Sequence, residues 1–305
     1  MRTSKILTTA SSAGYELIDS GDGEKLERFG EALLSRPDPQ ALWPKRLSAP
    51  EWKEADACFT RDSDKAEWSF KDGKDKLPAS WPIAFGGLTM LIKPTAFKHT
   101  GLFPEQSLNW DWMRGLIEAK CTKDAAADIE VLNLFGYTGG ASLACAQAGA
   151  KVVHIDSSKS AVAWARENAE LSGLADKPIR WIVEDARIFV ERELKRGRQY
   201  DAIIMDPPAF GHGAESELWK IEEHFLPLIE NCMKLLKPAP LFFLVNGYSA
   251  GYSAIAYENN LLPLKERYGG EIEIGELAIE EKHTEKMPAR LLPAGIFARW
   301  SAVSS

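Results

Sequence analysis

The sequence is poor in cysteine. The four that occur, Cys58, Cys121, Cys145 and Cys232, are far apart and never in a CxxC arrangement. That excludes a disulfide framework and a cysteine-rich zinc site, and the expectation is a reduced, cytoplasmic protein. The five histidines, His99, His154, His212, His224 and His283, show no ligand spacing, so no metal is expected. Long apolar runs are also missing. MRTSKILTTASSAG has no apolar centre of signal-peptide length, and no later run approaches the ~18 residues of a membrane span, so a soluble chain with no membrane partner is expected. Positive charge is in deficit, with 37 Lys and Arg against 44 Asp and Glu and a pI near 5.5. No global basic field exists, and a nucleic-acid partner would need a local basic groove. Internal repeats and low-complexity tracts are absent.

What the chain does have is 45% hydrophobic composition over 305 residues, enough for a large domain and a small one. Two apolar runs of strand length organise it: DIEVLNLFGYTGG, 128–140, and YDAIIMDPPAF, 200–210. Each stops at turn-forming or polar residues, as a buried parallel strand does where it delivers a loop to the sheet edge. Between and after them strands and helices alternate regularly, with strands at 131–135, 152–156, 180–183, 202–205 and 241–245. The helices fall near 142–148, 160–171, 188–196, 218–236 and 255–267. The pattern predicts an α/β fold, a doubly wound and mainly parallel sheet, over 105–305. EIEIGELAI and AGIFARW read as an antiparallel strand pair closing that sheet. Residues 1–104 read as a small β-rich domain. YELIDSGDGEKLERFG gives two strands joined across Gly21-Asp22-Gly23, PDPQALWPKRL is too proline-rich for helix or central strand, and AEWSF, WPIAF and LTMLI are short strands. In SLNWDWMRGLIEAK the helical stripe is Leu108, Trp112 and Leu116.

Candidate chemistry sits at the strand ends, where open α/β sheets bind ligands. Gly136, Gly139 and Gly140 let a strand turn into a helix and expose amides, although a tight turn alone would also require them. Asp156 is placed to accept from ribose hydroxyls or to cap the following helix, a task Ser157 or Ser158 could perform. Glu184 and Asp185 suit an adenine amino group, or a cap. In DPPAF, Asp206 offers an acceptor, Pro207 and Pro208 fix the backbone, and Phe210 offers a flat face for a planar substrate; a strand terminator with a core phenylalanine is the plainer reading. His212 is a weaker acid/base candidate. Trp43, Trp52, Trp68 and Trp81 suit either an RNA-stacking surface or a core.

Together NLFGYTGG, HIDSS, VEDA and DPPAF resemble a class I S-adenosylmethionine-dependent methyltransferase with its Rossmann-like sheet. With YELIDSGDGEKLERFG and HTGLFPEQ added, the string is similar to the large-subunit ribosomal RNA methyltransferase family that often carries an N-terminal PUA domain. The resemblance implies that Asn133, Phe135, Gly136, Tyr137, Thr138 and Gly139 hold the methionine end of S-adenosyl-L-methionine. It gives Asp156 and Ser157 the ribose, Asp185 and Ala186 the adenine, and has Thr100, Gly101, Phe103 and Gln106 close over the cofactor. Asp206, Pro207, Pro208 and Phe210 would form the catalytic face, with Asp206 also touching the cofactor. Transfer would be direct in-line displacement without metal. The chain departs from the family at three places. Ser107 stands where arginine usually follows the FxDQ segment, no segment corresponds to the PUA domain, and Asn246, Gly247, Tyr248 and Ser249 occupy the position of the nucleophilic cysteine of cytosine-C5 enzymes. Carbon 5 needs a thiolate to activate it, and Cys232 falls inside a helix, so a base nitrogen is the expected acceptor. The partner implied is RNA, ribosomal RNA in particular, with self-association into a homo-oligomer left open. The competing readings are a cofactor-binding RNA-interaction protein without transfer activity and a nicotinamide-dependent oxidoreductase, the latter weakened by the missing GxGxxG.

Overall fold

A computed structural model describes residues 3–61, 66–71, 77–96, 98–124, 126–212, 218–248, 251–282 and 288–302. Its elements in chain order begin with β1 (Ser4–Thr9), β2 (Tyr15–Gly21), β3 (Glu24–Phe29), β4 (Ala32–Pro37), α1 (Ala49–Trp52), β5 (Ala57–Arg61), β6 (Ala66–Phe70), β7 (Trp81–Phe85) and β8 (Leu88–Ile92). Then come α2 (Ser107–Lys123), β9 (Glu130–Leu134), α3 (Gly140–Gln147), β10 (Lys151–Asp156), α4 (Lys159–Leu171), β11 (Ile179–Val183), α5 (Ala186–Lys195) and β12 (Ala202–Met205). The chain finishes with β13 (Phe210–His212), β14 (Leu218–Lys220), α6 (Ile221–Lys234), β15 (Phe242–Gly247), α7 (Ala254–Tyr268), β16 (Glu271–Glu280) and β17 (Leu291–Ser301). Two compact units result. The first holds 1–6, 109–276 and 295–305, and the second holds 7–108 and 277–294.

In the first unit the sheet order is β1-β16-β17-β15-β12-β9-β10-β11. The five strands β15, β12, β9, β10 and β11 are parallel, and β17 joins β15 antiparallel. β12 and β15 are buried along their whole length, which is why their sequences are unbroken apolar runs rather than alternating ones. The order reverses between β9 and β12. Since parallel crossovers are right-handed, α3 and α4 cover one face and α5 and α6 the other, where α6 also packs on α5 and α7. Leu132, Leu134, Ile155, Phe189, Ile203 and Phe243, none more than 1% exposed, fill the centre.

Three expectations need correction. β1 pairs with β16 as an outer strand, so the β16–β17 pair does not close the sheet; SKILTT is mostly exposed and carries no apolar alternation to announce a strand. The helix expected from Leu218 begins at Ile221, because Leu218–Lys220 pairs with Phe210–His212. On α2 the buried face holds Trp110, Met113, Leu116 and Ile117, so of the predicted stripe Leu116 is in the core while Leu108 and Trp112 are only half-buried; Trp110, read as off the stripe, packs its ring on Gly140.

The second unit is a five-stranded sheet, β2-β3-β4-β5-β6, and a β7–β8 hairpin. Asp22 and Gly23 turn the β2–β3 hairpin at positive φ, 51° and 77°. Residues 38–48 form no helix or strand. The buried Asp19 carboxylate pins their far end, accepting from the amides of Arg46 and Leu47, the Trp52 indole and Arg290. Trp43, Trp68 and Trp81 likewise donate their indole N–H to backbone carbonyls of Ser20, Thr95 and Phe29. All four tryptophans therefore serve the packing of this unit.

No described helix is long and apolar enough to cross a membrane. For the first unit, Ile203→Ala should lower stability by about 2–5 kcal/mol through the cavity it leaves, read as a lower midpoint in urea unfolding.

Candidate active site

Strand register brings the predicted residues to one edge. Leu134 lies opposite Ile155 and Met205, Asp156 opposite Val183, and Met205 opposite Val245. Phe135, Asp156, Glu184, Asp206 and Asn246 therefore emerge side by side, around the reversal of strand order where open sheets bind ligands.

The loop after β9 is tightly wound. Phe135, Tyr137 and Gly139 have φ of 59°, 47° and 90°. The two non-glycine residues cost roughly 1–2 kcal/mol each in this conformation. Hydrogen bonds hold it, from Gly136 N to Ile155 O at 2.9 Å, Tyr137 N to Asp156 Oδ2 at 2.8 Å, and Gly139 N to Gly136 O at 2.9 Å. Gly136 and Gly140 are required by close approach. A Cβ on Gly136 would lie 2.4 Å from the His154 ring, and one on Gly140 2.3 Å from the Trp110 ring. Gly139 is the N-cap of α3, whose first-turn amides have no partner inside the helix and point to this edge. Asn133 is buried beneath the loop and donates to Ser142 Oγ at 2.8 Å, which contacts His154 Nδ1 at 3.0 Å. Burial drives that imidazole down to about 3, so it is neutral at physiological pH. The Thr138 carbonyl takes the Asn168 amide at 2.8 Å.

Asp156 also accepts from Ser158 N at 2.8 Å, while the cap of α4 is Ser158 itself, whose hydroxyl accepts from Ala161 N. The carboxylate is raised from its ordinary value, first by burial, which these amide donors only partly offset. Asp185 is the N-cap of α5 and forms a two-point ion pair with Arg187, at 3.0 Å to Nε and 2.8 Å to Nη2. Burial acts to raise Asp185, but the Arg187 contacts prevail and hold it below the usual carboxylate range. Glu184 is paired with Arg192.

After β12 the Asp206 carboxylate is half-buried and makes no hydrogen bond among the described residues, and burial pushes it up to about 6. Pro207 is buried, Pro208 exposed, and Phe210 is 59% exposed. The Trp219 indole donates to the Pro208 carbonyl at 2.6 Å and its ring meets Phe135 at 5.1 Å. Phe135, Asp156, Ser157, Asp185, Ala186 and Pro208 line one cavity of about 40 Å³ with Trp219. An enclosed small-molecule site runs to roughly 300–1,000 Å³, so this cavity has room for only one edge of such a ligand. The exposed amides, the Asp156 carboxylate and the apolar slot offer the chemistry an adenosyl cofactor needs. No group of three or more His, Cys, Asp or Glu among the described residues could hold a metal.

Sequence reasoning missed Trp219 and Arg187. LWK precedes a helix with no distinguishing neighbour, and the arginine of VEDAR reads as a surface charge until its bidentate pairing is seen. Thr100, Gly101, Phe103 and Gln106 belong to the second unit. There the Lys93 amide donates to the Thr100 carbonyl at 3.0 Å, and the Gln106 amide to the Phe103 carbonyl at 3.1 Å in a 3₁₀ turn. The side chain of His212, Ser249 and His283 lie outside the described residues.

The family model for S-adenosylmethionine-dependent methyltransferases matches residues 59–239. The chain belongs to that family. S-adenosylmethionine is the family's cofactor, and the doubly wound sheet with a β-rich N-terminal region is the expected architecture. The crystal structure of the SAM-dependent methyltransferase from Agrobacterium tumefaciens is 40% identical, with 98% of this chain and 94% of that chain covered and a TM-score of 0.90. Ribosomal RNA large subunit methyltransferase K/L of Shewanella baltica is 32% identical over 213 residues, 69% of this chain and 27% of that protein. The Pseudoalteromonas atlantica protein of the same name is 29% identical over 204 residues, 66% of this chain and 25% of that protein. The chain thus spans about a quarter of the length of these curated relatives.

In this site Gly136→Ala should drive the loop off the His154 ring. We expect S-adenosylmethionine affinity to fall at least about tenfold, as overpacking of a tight site costs about 1–3 kcal/mol. Calorimetric titration checks it, and adding His154→Ala should restore part of the loss.

Proposed function

We propose that this protein transfers a methyl group from S-adenosylmethionine to a nitrogen of an RNA base, with ribosomal RNA as the substrate class. The carrying observation is the shared cavity: Pro208 of the DPP segment lines the same slot as Asp156, Ser157, Asp185 and Ala186. In this reading Asp156 accepts from ribose hydroxyls, Asp185 and Ala186 meet the adenine, and the loop 135–139 faces the methionine end. Asn133 supports that loop through Ser142. Thr100, Phe103 and Gln106 are carried to cofactor binding by the resemblance alone. Bound there, the sulfonium supplies an already activated methyl group.

The chain's task is alignment and removal of one proton. Asp206, unpartnered and near the apolar slot, is mostly ionised at pH 7 and accepts the hydrogen bond and proton of an attacking amine. Pro207 and Pro208 fix its backbone, the Trp219 indole holds the Pro208 carbonyl, and the exposed Phe210 ring offers a face to a base. A nitrogen acceptor fits better than cytosine carbon 5. Cys232 is fully buried on α6 and its thiol is raised by burial, so it cannot act as the thiolate that C5 chemistry needs. The names of the relatives support RNA as the substrate class. The four free cysteines agree with a cytoplasmic setting.

Calorimetric titration with S-adenosylmethionine and, separately, NADH tests the cofactor, and methyl transfer to unmodified large-subunit ribosomal RNA tests the substrate. Micromolar S-adenosylmethionine binding that weakens at least about tenfold in Asp156→Ala is expected, with no NADH binding. Transfer should rise with pH through about 6 as Asp206 ionises. Cofactor binding without transfer to any RNA, protein or small-molecule pool would favour a cofactor-binding RNA-interaction protein without transfer activity instead.

A further inference from the structure

Tyr257 on α7 is 2% exposed, and its hydroxyl has no hydrogen-bond partner among the described residues. Buried hydroxyls in folded proteins almost always have one, so an orphan calls for a reason. The ring is held by stacking on Phe225 of α6, with centroids 5.3 Å apart at 28°. Its hydroxyl lies against Gly247, the last residue of β15, where a Cβ would come within 2.4 Å of the oxygen. That contact explains glycine at 247 and fixes the hydroxyl at the active edge. β15 and β12 are paired with Met205 opposite Val245, so Asp206 comes level with Asn246, and Gly247 is the next residue along β15 at the same edge.

Among the described residues two unpartnered polar groups therefore share one edge, a carboxylate that lacks a donor and a hydroxyl that lacks an acceptor. Burial first, then the Asp206 charge, raises the Tyr257 phenol to about 12, so it is a donor throughout the working range and within electrostatic reach of that carboxylate. Tyr252, the other group acting on Tyr257, is occupied, its hydroxyl donating to Glu222 at 2.9 Å.

We propose that Tyr257 is a positioning residue of the transfer site, its hydroxyl donating through one water to the Asp206 carboxylate and so orienting the oxygen that receives the acceptor's proton. This rests on the methyltransferase reading given above. Gly247 keeps the path open, and the stack on Phe225 sets the direction of the phenol. A donor stabilises the ionised carboxylate, so Tyr257 lowers the pH at which Asp206 becomes charged. The residue is absent from the four sequence motifs and reaches the edge from a helix far along the chain.

The test needs no methyl acceptor. An ionised Asp206 favours the sulfonium cation over neutral S-adenosylhomocysteine, so the affinity ratio of the two, measured by calorimetry from pH 5 to 8, reports its charge. In the wild type the ratio should rise through about pH 6, and Asp206→Asn should abolish the rise. In Tyr257→Phe the midpoint should move up by about 0.5 to 1, a three- to tenfold gain in proton affinity, while Tyr252→Phe leaves it in place. An unmoved midpoint in Tyr257→Phe, or a ratio in the wild type that does not change with pH, overturns the proposal. A hydroxyl that is merely unsatisfied packing would give that first result with equal or higher thermal stability. Failure of the folded wild type to bind S-adenosylmethionine would instead remove the methyltransferase reading beneath it.

Discussion

A parallel sheet covered on both faces can show chemistry only where its strands end. In the first unit β12 and β15 are buried throughout, so nothing along their length can meet a ligand. Function is forced to the carboxyl edge, and the reversal of order between β9 and β12 opens that edge at one place. The glycine loop, Asp156, Asp185 and the DPP segment come together because the register of five strands leaves them no alternative position. Stability of the sheet and geometry of the site are thus one property.

The loop 135–140 depends on that rigidity most directly. Two non-glycine residues at positive φ, Phe135 and Tyr137, are held in a conformation costing roughly 1–2 kcal/mol each, and strain of this kind persists only where the surroundings over-determine it. His154 beneath Gly136, Trp110 against Gly140 and the Asp156 carboxylate on the Tyr137 amide supply those surroundings. The loop amides are then arranged before any ligand arrives, and binding need not order them.

Much of this was readable from residues alone, and the exceptions share a cause. Unbroken apolar strands such as AIIM and regularly alternating helices announce themselves through composition, and the motifs at their ends follow from position. SKILTT, LWK and the true face of α2 were not legible, because each is decided by a partner distant in sequence: β16 for β1, the Pro208 carbonyl for Trp219, Gly140 for Trp110. The choice of helix cap was legible only as an alternative. Ser158 takes it after β10, which frees Asp156 for the loop, whereas after β11 Asp185 is itself the cap. A sequence offers the donors and acceptors but does not assign them.

That assignment separates the three carboxylates at the edge. Asp156 receives two backbone amides, and Asp185 receives an amide and the Arg187 guanidinium. Both are fixed in place and ready to accept further bonds at vacant lone pairs. Asp206 receives nothing among the described residues and is raised by burial alone. An unsatisfied half-buried carboxylate is a cost to folding, and a strand terminator could have used serine or asparagine at less expense. Its place beside two prolines that immobilise the backbone is what the proposed role in proton acceptance requires. Carboxylates with ready-made partners suit the holding of a cofactor; the one without a partner suits the moment when a proton must be received.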